Sequence, residues 1–144
     1  MTGIPSFAPE LLQGVRATDP LKAKHLDKAL MQFAEEGAAK VFKPMIGSGF
    51  VVGVVGALQF EVLASRIEME YGLPVRFEAS QFTSARWVHG PKDKVDAFVN
   101  VNKGHIAYDN DDDVVYLTRL QWDIDRIERD HPDLTLSATK EMQT

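Results

Sequence analysis

The chain has 144 residues, 44% of them hydrophobic, and a formal net charge of -5. That is enough apolar material to bury one core, or two small ones that share a face. It contains no cysteine, which excludes disulfide staples, thiolate zinc sites and cysteine nucleophiles and suits a reducing cytosol, so a cytoplasmic location is expected. The acidic balance argues against a surface built for DNA and restricts any nucleic-acid contact to a local basic patch. No apolar run approaches the roughly 20 residues of a membrane span.

Taken in chain order, Pro5 and Pro9 bracket an extended entry, and "ELLQGVR" reads as a strand ending at Arg16. In "ATDPLKAKHLDKALMQFAEEGA", Asp19 suits a helix cap, Pro20 its first turn and Gly37 its C-terminal stop. Between them Leu26, Ala29, Leu30, Phe33 and Ala34 recur on one apolar face, with Lys22, Lys24 and Lys28 off it. "AKVFKPM" follows as a strand, then a turn over Gly47 to Gly49, then "FVVGVVG", apolar enough to be a central strand covered on both sides. Phe60, Leu63, Ala64, Ile67 and Tyr71 mark a second helix, stopped by Gly72 and Pro74, and "VRFEA" closes the run as a strand.

The order from Glu10 to Ala79 is therefore β-α-β-β-α-β, the α+β, ferredoxin-like order in which two helices cover one face of an antiparallel sheet. The remaining residues give a weaker string of the same kind: "SARWVHG" strand, "PKDKVDAFVNVN" helix, "HIAY" strand, an acidic turn, "VVYLTR" strand, "WDIDRIERDH" helix and "LTLSA" strand. Residues 1–80 and 81–144 are expected to form two halves packed as one body, because the only boundary, "SQFTS", is too short and too apolar at Phe82 to act as a flexible linker.

The glycine-rich stretch "IGSGFVVGVVGALQFEVLASRI" has the outline of a phosphate-binding turn. It lacks the required chemistry. No Lys-Ser or Lys-Thr follows Gly53 and Gly56, so the lysine and hydroxyl that reach phosphate and magnesium in a P-loop are missing. Gly47 and Gly49 begin a dinucleotide spacing, but Val52 stands at the third position and a strand follows instead of a helix. Gly56 is instead expected to be a structural turn residue, where a side chain would crowd the passage from strand to helix.

Other constellations are bland. Asp109, Asp111 and Asp113 have the 1, 3, 5 spacing of a calcium loop, but Val114 and Leu120 stand where that loop needs Gly and Glu, so "DNDDD" reads as a hairpin tip. His25, His89, His105 and His131 are scattered, with no pair spaced to ligate one metal from a helix. No G-x-S-x-G elbow occurs. Glu61 and Glu68 lie near one helical face and read as solvated surface. No catalytic, cofactor-binding or metal-ligating residue is expected on this chain. An acylphosphatase-like enzyme is an alternative on this fold, but it lacks a convincing anion loop between Arg16 and Asp19; a small-molecule-binding regulatory module is another.

"GALQFEVLASRI" resembles the G-x-L-x-x-E-V stretch in the third domain of elongation factor G and related translational GTPases. "FAPELL", "DPLKAKHLDKAL", "VGVVGALQFEVLASRIEMEYG" and "SARWV", in that order, are similar to the C-terminal domain of the bacterial peptide chain release factor three family. That resemblance covers nearly the whole chain and thins out after Trp87. It implies a non-catalytic domain of a GTPase that acts at the ribosome after peptide release and helps remove class I release factors. GTP, GDP and magnesium would then belong to a domain N-terminal to this one, followed by a β-barrel, and "MTG" reads as a cut made inside such a longer protein. The ribosome and those two domains are the partners implied. Under the same resemblance, Lys22, Lys24 and Lys28 become candidate ribosome-contacting residues, joined by Arg86 and Lys92 from "ARWVHGPKDK", where Trp87 is either a stacking group or core. Because the chain has neither the P-loop lysine nor its cradle, calorimetric titration with GTP or GDP is expected to give no saturable heat; micromolar binding would contradict this.

Overall fold

The structure, a computed structural model, describes residues 8–46 and 49–139; Pro5 and Gly47 of the expected entry and turn lie outside them. The first run of elements is β1 (Leu11–Ala17), α1 (Ala23–Glu36), β2 (Lys40–Pro44), β3 (Phe50–Val54), α2 (Leu58–Tyr71) and β4 (Val75–Ala79). The second is β5 (Ser84–His89), α3 (Lys92–Val101), β6 (Ile106–Tyr108), β7 (Val114–Thr118), α4 (Gln121–Asp130) and β8 (Thr135–Ser137). No helix among the described residues is long and apolar enough to cross a membrane.

The punctuation works as the residue types require. Asp19 accepts a hydrogen bond from the Leu21 amide at 3.0 Å and Pro20 opens a 3₁₀ turn, Pro20–Lys22, that runs into α1. Gly37 and Gly72 end α1 and α2 in the left-handed conformation, at φ 81° and 63°, where a side chain would be strained.

All strands among the described residues belong to one antiparallel sheet of eight, in the order β4-β1-β3-β2-β6-β7-β5-β8. The first half has the ferredoxin-like order, and the second repeats it in mirror sequence, so that the two plaits join through their second strands. At that seam Lys43 stands opposite Tyr108 and Pro44 opposite Ala107. The ladder is short there, and the Met45 amide donates to the Ile106 carbonyl at 2.9 Å, so the nitrogen of Pro44 faces away from β6 and the seam loses no donor to it. Lys43 and Tyr108 lie on the helix-bearing side of their strands, so all four helices cover one side of the sheet.

On that side, Leu26, Leu30 and Phe33 of α1 and Leu63 and Ile67 of α2 pack on Val15, Val41 and Val52. Phe98, Ile124 and Ile127 do the same on Ile106, Tyr116 and Val88. The opposite side is concave and shared. Leu12, Phe42 and Val51 of the first half cluster with Ala85, Trp87, Ala107, Val115 and Leu117 of the second. The curl nearly closes the sheet: the Ala8 amide, just before β1, donates to the Ala138 carbonyl, just after β8, at 2.6 Å.

Gly56 lies between β3 and α2 as expected, but the crowding expected there is absent. A Cβ on Gly56 would meet nothing within 4 Å, because the turn projects into solvent. The crowding falls instead on Gly53, whose inner face is covered by Pro9, so that a Cβ would overlap the Pro9 ring, with Cβ of Pro9 at 2.6 Å and Leu12 Cδ2 at 3.0 Å, and on Gly90, where a Cβ would stand 2.7 Å from the Asp133 carbonyl oxygen. Gly53→Ala is expected to cost about 1–3 kcal/mol through overpacking. Gly56→Ala is expected to be neutral or to stabilise by about 0.4–1 kcal/mol by restricting the unfolded chain. Urea midpoints of the two variants against the parent check both.

Candidate functional site

In the glycine-rich stretch the described turn amides already have partners within the chain. In the turn just before α2 the amides of Val55 and Gly56 both donate to Gln59 Oε1, at 3.0 and 3.2 Å, and the amides of Gln59 and Phe60 donate to the carbonyls of Gly56 and Ala57, at 3.0 and 3.2 Å. The helix has no side-chain cap of its own, and the turn that leads into it is tied to Gln59. A cleft of about 340 Å³ does open beside β1, lined among others by Arg16, Gly49, Glu78, Phe82 and Leu117, with Arg16 and Glu78 3.8 Å apart across solvent. Its two charged groups answer each other.

The three candidate lysines gather at one end of α1. Lys22 is half-buried in the 3₁₀ turn, while Lys24 and Lys28 are exposed on the side of the helix opposite Leu26 and Phe33. None forms an ion pair with a described residue. Their position opposes the helix dipole: the first turn of α1 has no acidic residue, and positive charge at a helix N-terminus is unfavourable. Intramolecular stability does not account for this placement.

Arg86 and Lys92 stand apart, in the second plait. Arg86, half-buried on β5, donates from Nη1 to the Ala85 carbonyl at 2.7 Å and from Nη2 to Gln121 Oε1 at 3.5 Å. Lys92 is exposed but paired with Asp96 at 2.9 Å one helical turn on, and that hydrogen bond raises its pKa. Both are engaged within the chain, unlike the lysines of α1.

Trp87 is core, not a stacking group: it is 3% exposed, and its indole Nε1 donates to Asp109 Oδ2 at 3.1 Å. The exposed indole is Trp122, 61% exposed on α4, with the Arg126 guanidinium 5.4 Å from its ring. Helical spacing carries the signal for this, since Ile124 and Ile127 define the inner face of "WDIDRIERD" and Trp122 falls opposite.

Asp109, Asp111 and Asp113 are the one group among the described residues close enough to gather around an ion. The arrangement is that of a turn. Asp109 Oδ1 accepts from the amides of Asp111 and Asp113, both at 2.9 Å, and Asp112 takes φ 65°. His105 is likewise occupied, with Nδ1 2.9 Å from the Leu117 carbonyl and its ring stacked on Tyr116 at 5.5 Å.

Between α1 and α2, Arg66 bridges Glu36 at 3.0 Å and Glu70 at 2.9 Å, with its guanidinium over the Phe33 ring at 4.6 Å. The hydrogen bond from Arg66 holds the Glu36 carboxyl below the ordinary range. The stability this gives is present above the unfolded pKa of Glu36 and is lost as pH falls through the folded one.

Asp109→Ala is expected to destabilise the fold by about 1–3 kcal/mol, since it leaves the buried Trp87 N–H and two turn amides without their acceptor. An unchanged urea midpoint would show that water replaces the carboxylate at no cost.

Comparison with protein families matches residues 1–128 to the family model described as "Class II release factor RF3, C-terminal domain".

Proposed function

The chain belongs to the class II release factor RF3 C-terminal domain family, and so is a domain of a translation termination factor; from that premise we propose that it is a non-catalytic, ribosome-docking domain. Its task is to hold a fixed relation to a GTPase domain and a β-barrel of the same protein, so that the nucleotide state of that GTPase changes which ribosome conformation the whole factor favours and class I release factors are recycled. GTP and magnesium are used by that GTPase domain, this chain takes no cofactor of its own, and the work is done in the cytoplasm.

The observation that carries the docking role is the set of unpaired lysines at the N-terminal end of α1. In a chain of net charge -5, Lys22, Lys24 and Lys28 form a local basic site whose charges lack an internal partner among the described residues. Lysines in such a position are suited to the phosphates of folded ribosomal RNA. Arg86 and Lys92 are the secondary contacts in this proposal, reached only if Gln121 and Asp96 release them.

Changing Lys22, Lys24 and Lys28 to glutamate is expected to weaken binding of the chain to 70S ribosomes and to flatten its salt dependence by up to about 0.7–0.9 in log-log slope per lost contact. The same change should leave the denaturation midpoint unchanged or higher, because negative charge suits a helix N-terminus. Equal affinities and equal slopes would make the lysines a solvated face.

A further inference from the structure

The outer face of α2 is apolar where a solvated helix has no need to be. Leu58, Val62 and Met69 are 73%, 56% and 81% exposed. With Ser65 they fall at i, i+4, i+7 and i+11, a straight row on the side opposite the buried Phe60, Leu63 and Ile67. Scattered exposed apolar residues are ordinary, but a row along one face marks a contact surface. Val62 sharpens the point, since a β-branched residue at an exposed helical position gains neither packing nor helix propensity.

The edges of the row state what chemistry would cover it. Along one side run Glu61 and Glu68, exposed and without an ion pair among the described residues. Along the other lies Arg66, already shared between Glu36 and Glu70, so that this cluster keeps one net negative charge. An apolar row between two acidic edges repels phosphates, which disfavours nucleic acid. It lacks the basic edges of a helix that lies on a membrane surface. A second copy docked face to face would bring Glu61 and Glu68 against their own kind in an antiparallel pairing, and against the Arg66 edge, itself one net negative charge, in a parallel one.

We propose that the Leu58, Val62, Met69 face of α2 is a protein-docking surface, separate from the lysines of α1, for a partner that presents an apolar row edged by lysine or arginine. The apolar row supplies the buried centre of the contact, and Glu61 and Glu68 supply its rim and set the partner's orientation.

The probe is a synthetic amphipathic helical peptide with a leucine row edged by lysines, titrated into the ¹⁵N-labelled chain. Two further peptides serve as controls, one edged by glutamates and one with serines in place of the leucines. Amide shifts are expected along α2, from the lysine-edged leucine peptide alone. Val62→Asp is expected to weaken that binding by about tenfold or more. It does so although it adds a negative charge, an outcome that simple attraction of a cationic peptide to an acidic chain cannot give. Glu61→Lys with Glu68→Lys should also weaken it, and circular dichroism confirms that each variant is folded. Shifts away from α2, equal binding of the serine peptide, or equal or tighter binding to Val62→Asp would overturn the proposal. So would sedimentation showing a dimer that Val62→Asp dissolves, since the occupant would then be a second copy. No ribosome enters this test, so its failure leaves the docking role of the α1 lysines standing.

Discussion

Everything in this chain depends on one shared apolar layer, the concave side of the sheet where Leu12, Phe42 and Val51 meet Ala85, Trp87, Val115 and Leu117. Each plait has its own helix-covered core, but neither can cover the other side of its sheet. The β2–β6 ladder alone is a weak joint, since it is short. The buried layer beneath it makes the join stiff, because relative rotation of the halves would open apolar surface to water. Asp109 extends the constraint to the β6–β7 hairpin by holding the Trp87 indole and the turn amides with a single carboxylate.

Much of this was legible in the amino-acid order. Period-2 and period-3.6 patterns, with Asp19, Pro20, Gly37 and Gly72 as punctuation, placed the strands and helices because they act locally. What stayed hidden was long-range. No local signal announces that Pro9 lies over Gly53, so the glycine chosen for its lack of a side chain was Gly56, which faces solvent. Trp87 and Trp122 could be sorted only by asking which face of its element each occupies. The five cations looked alike as residue types, and only the fold separates the three without partners from Arg86 and Lys92, which are bonded to Gln121 and Asp96.

The fold also separates signs of charge that a net value of -5 conceals. On the first plait, α1 begins with lysines set against its own dipole, while the neighbouring α2 carries an apolar row between carboxylates. Arg66, between them, ties the two helices through Glu36 and Phe33. The first plait thus presents two different surfaces side by side, a basic helix end and an apolar helix face edged by carboxylates. The second plait contributes stiffness and the seat for the inner layer.

The hydrogen bond from Ala8 to Ala138 ties the beginning of the described chain to its end, and this has a consequence for synthesis. A nascent chain completes the first plait once β4 has emerged, yet Leu12, Phe42 and Val51 then face water and β2 presents a free edge. They stay uncovered until β5, β6 and β7 arrive, nearly forty residues later by the numbering of Ala79 and Leu117. The half-made protein is thus a sheet with one wet apolar side and an open edge, the form in which strands of neighbouring chains pair.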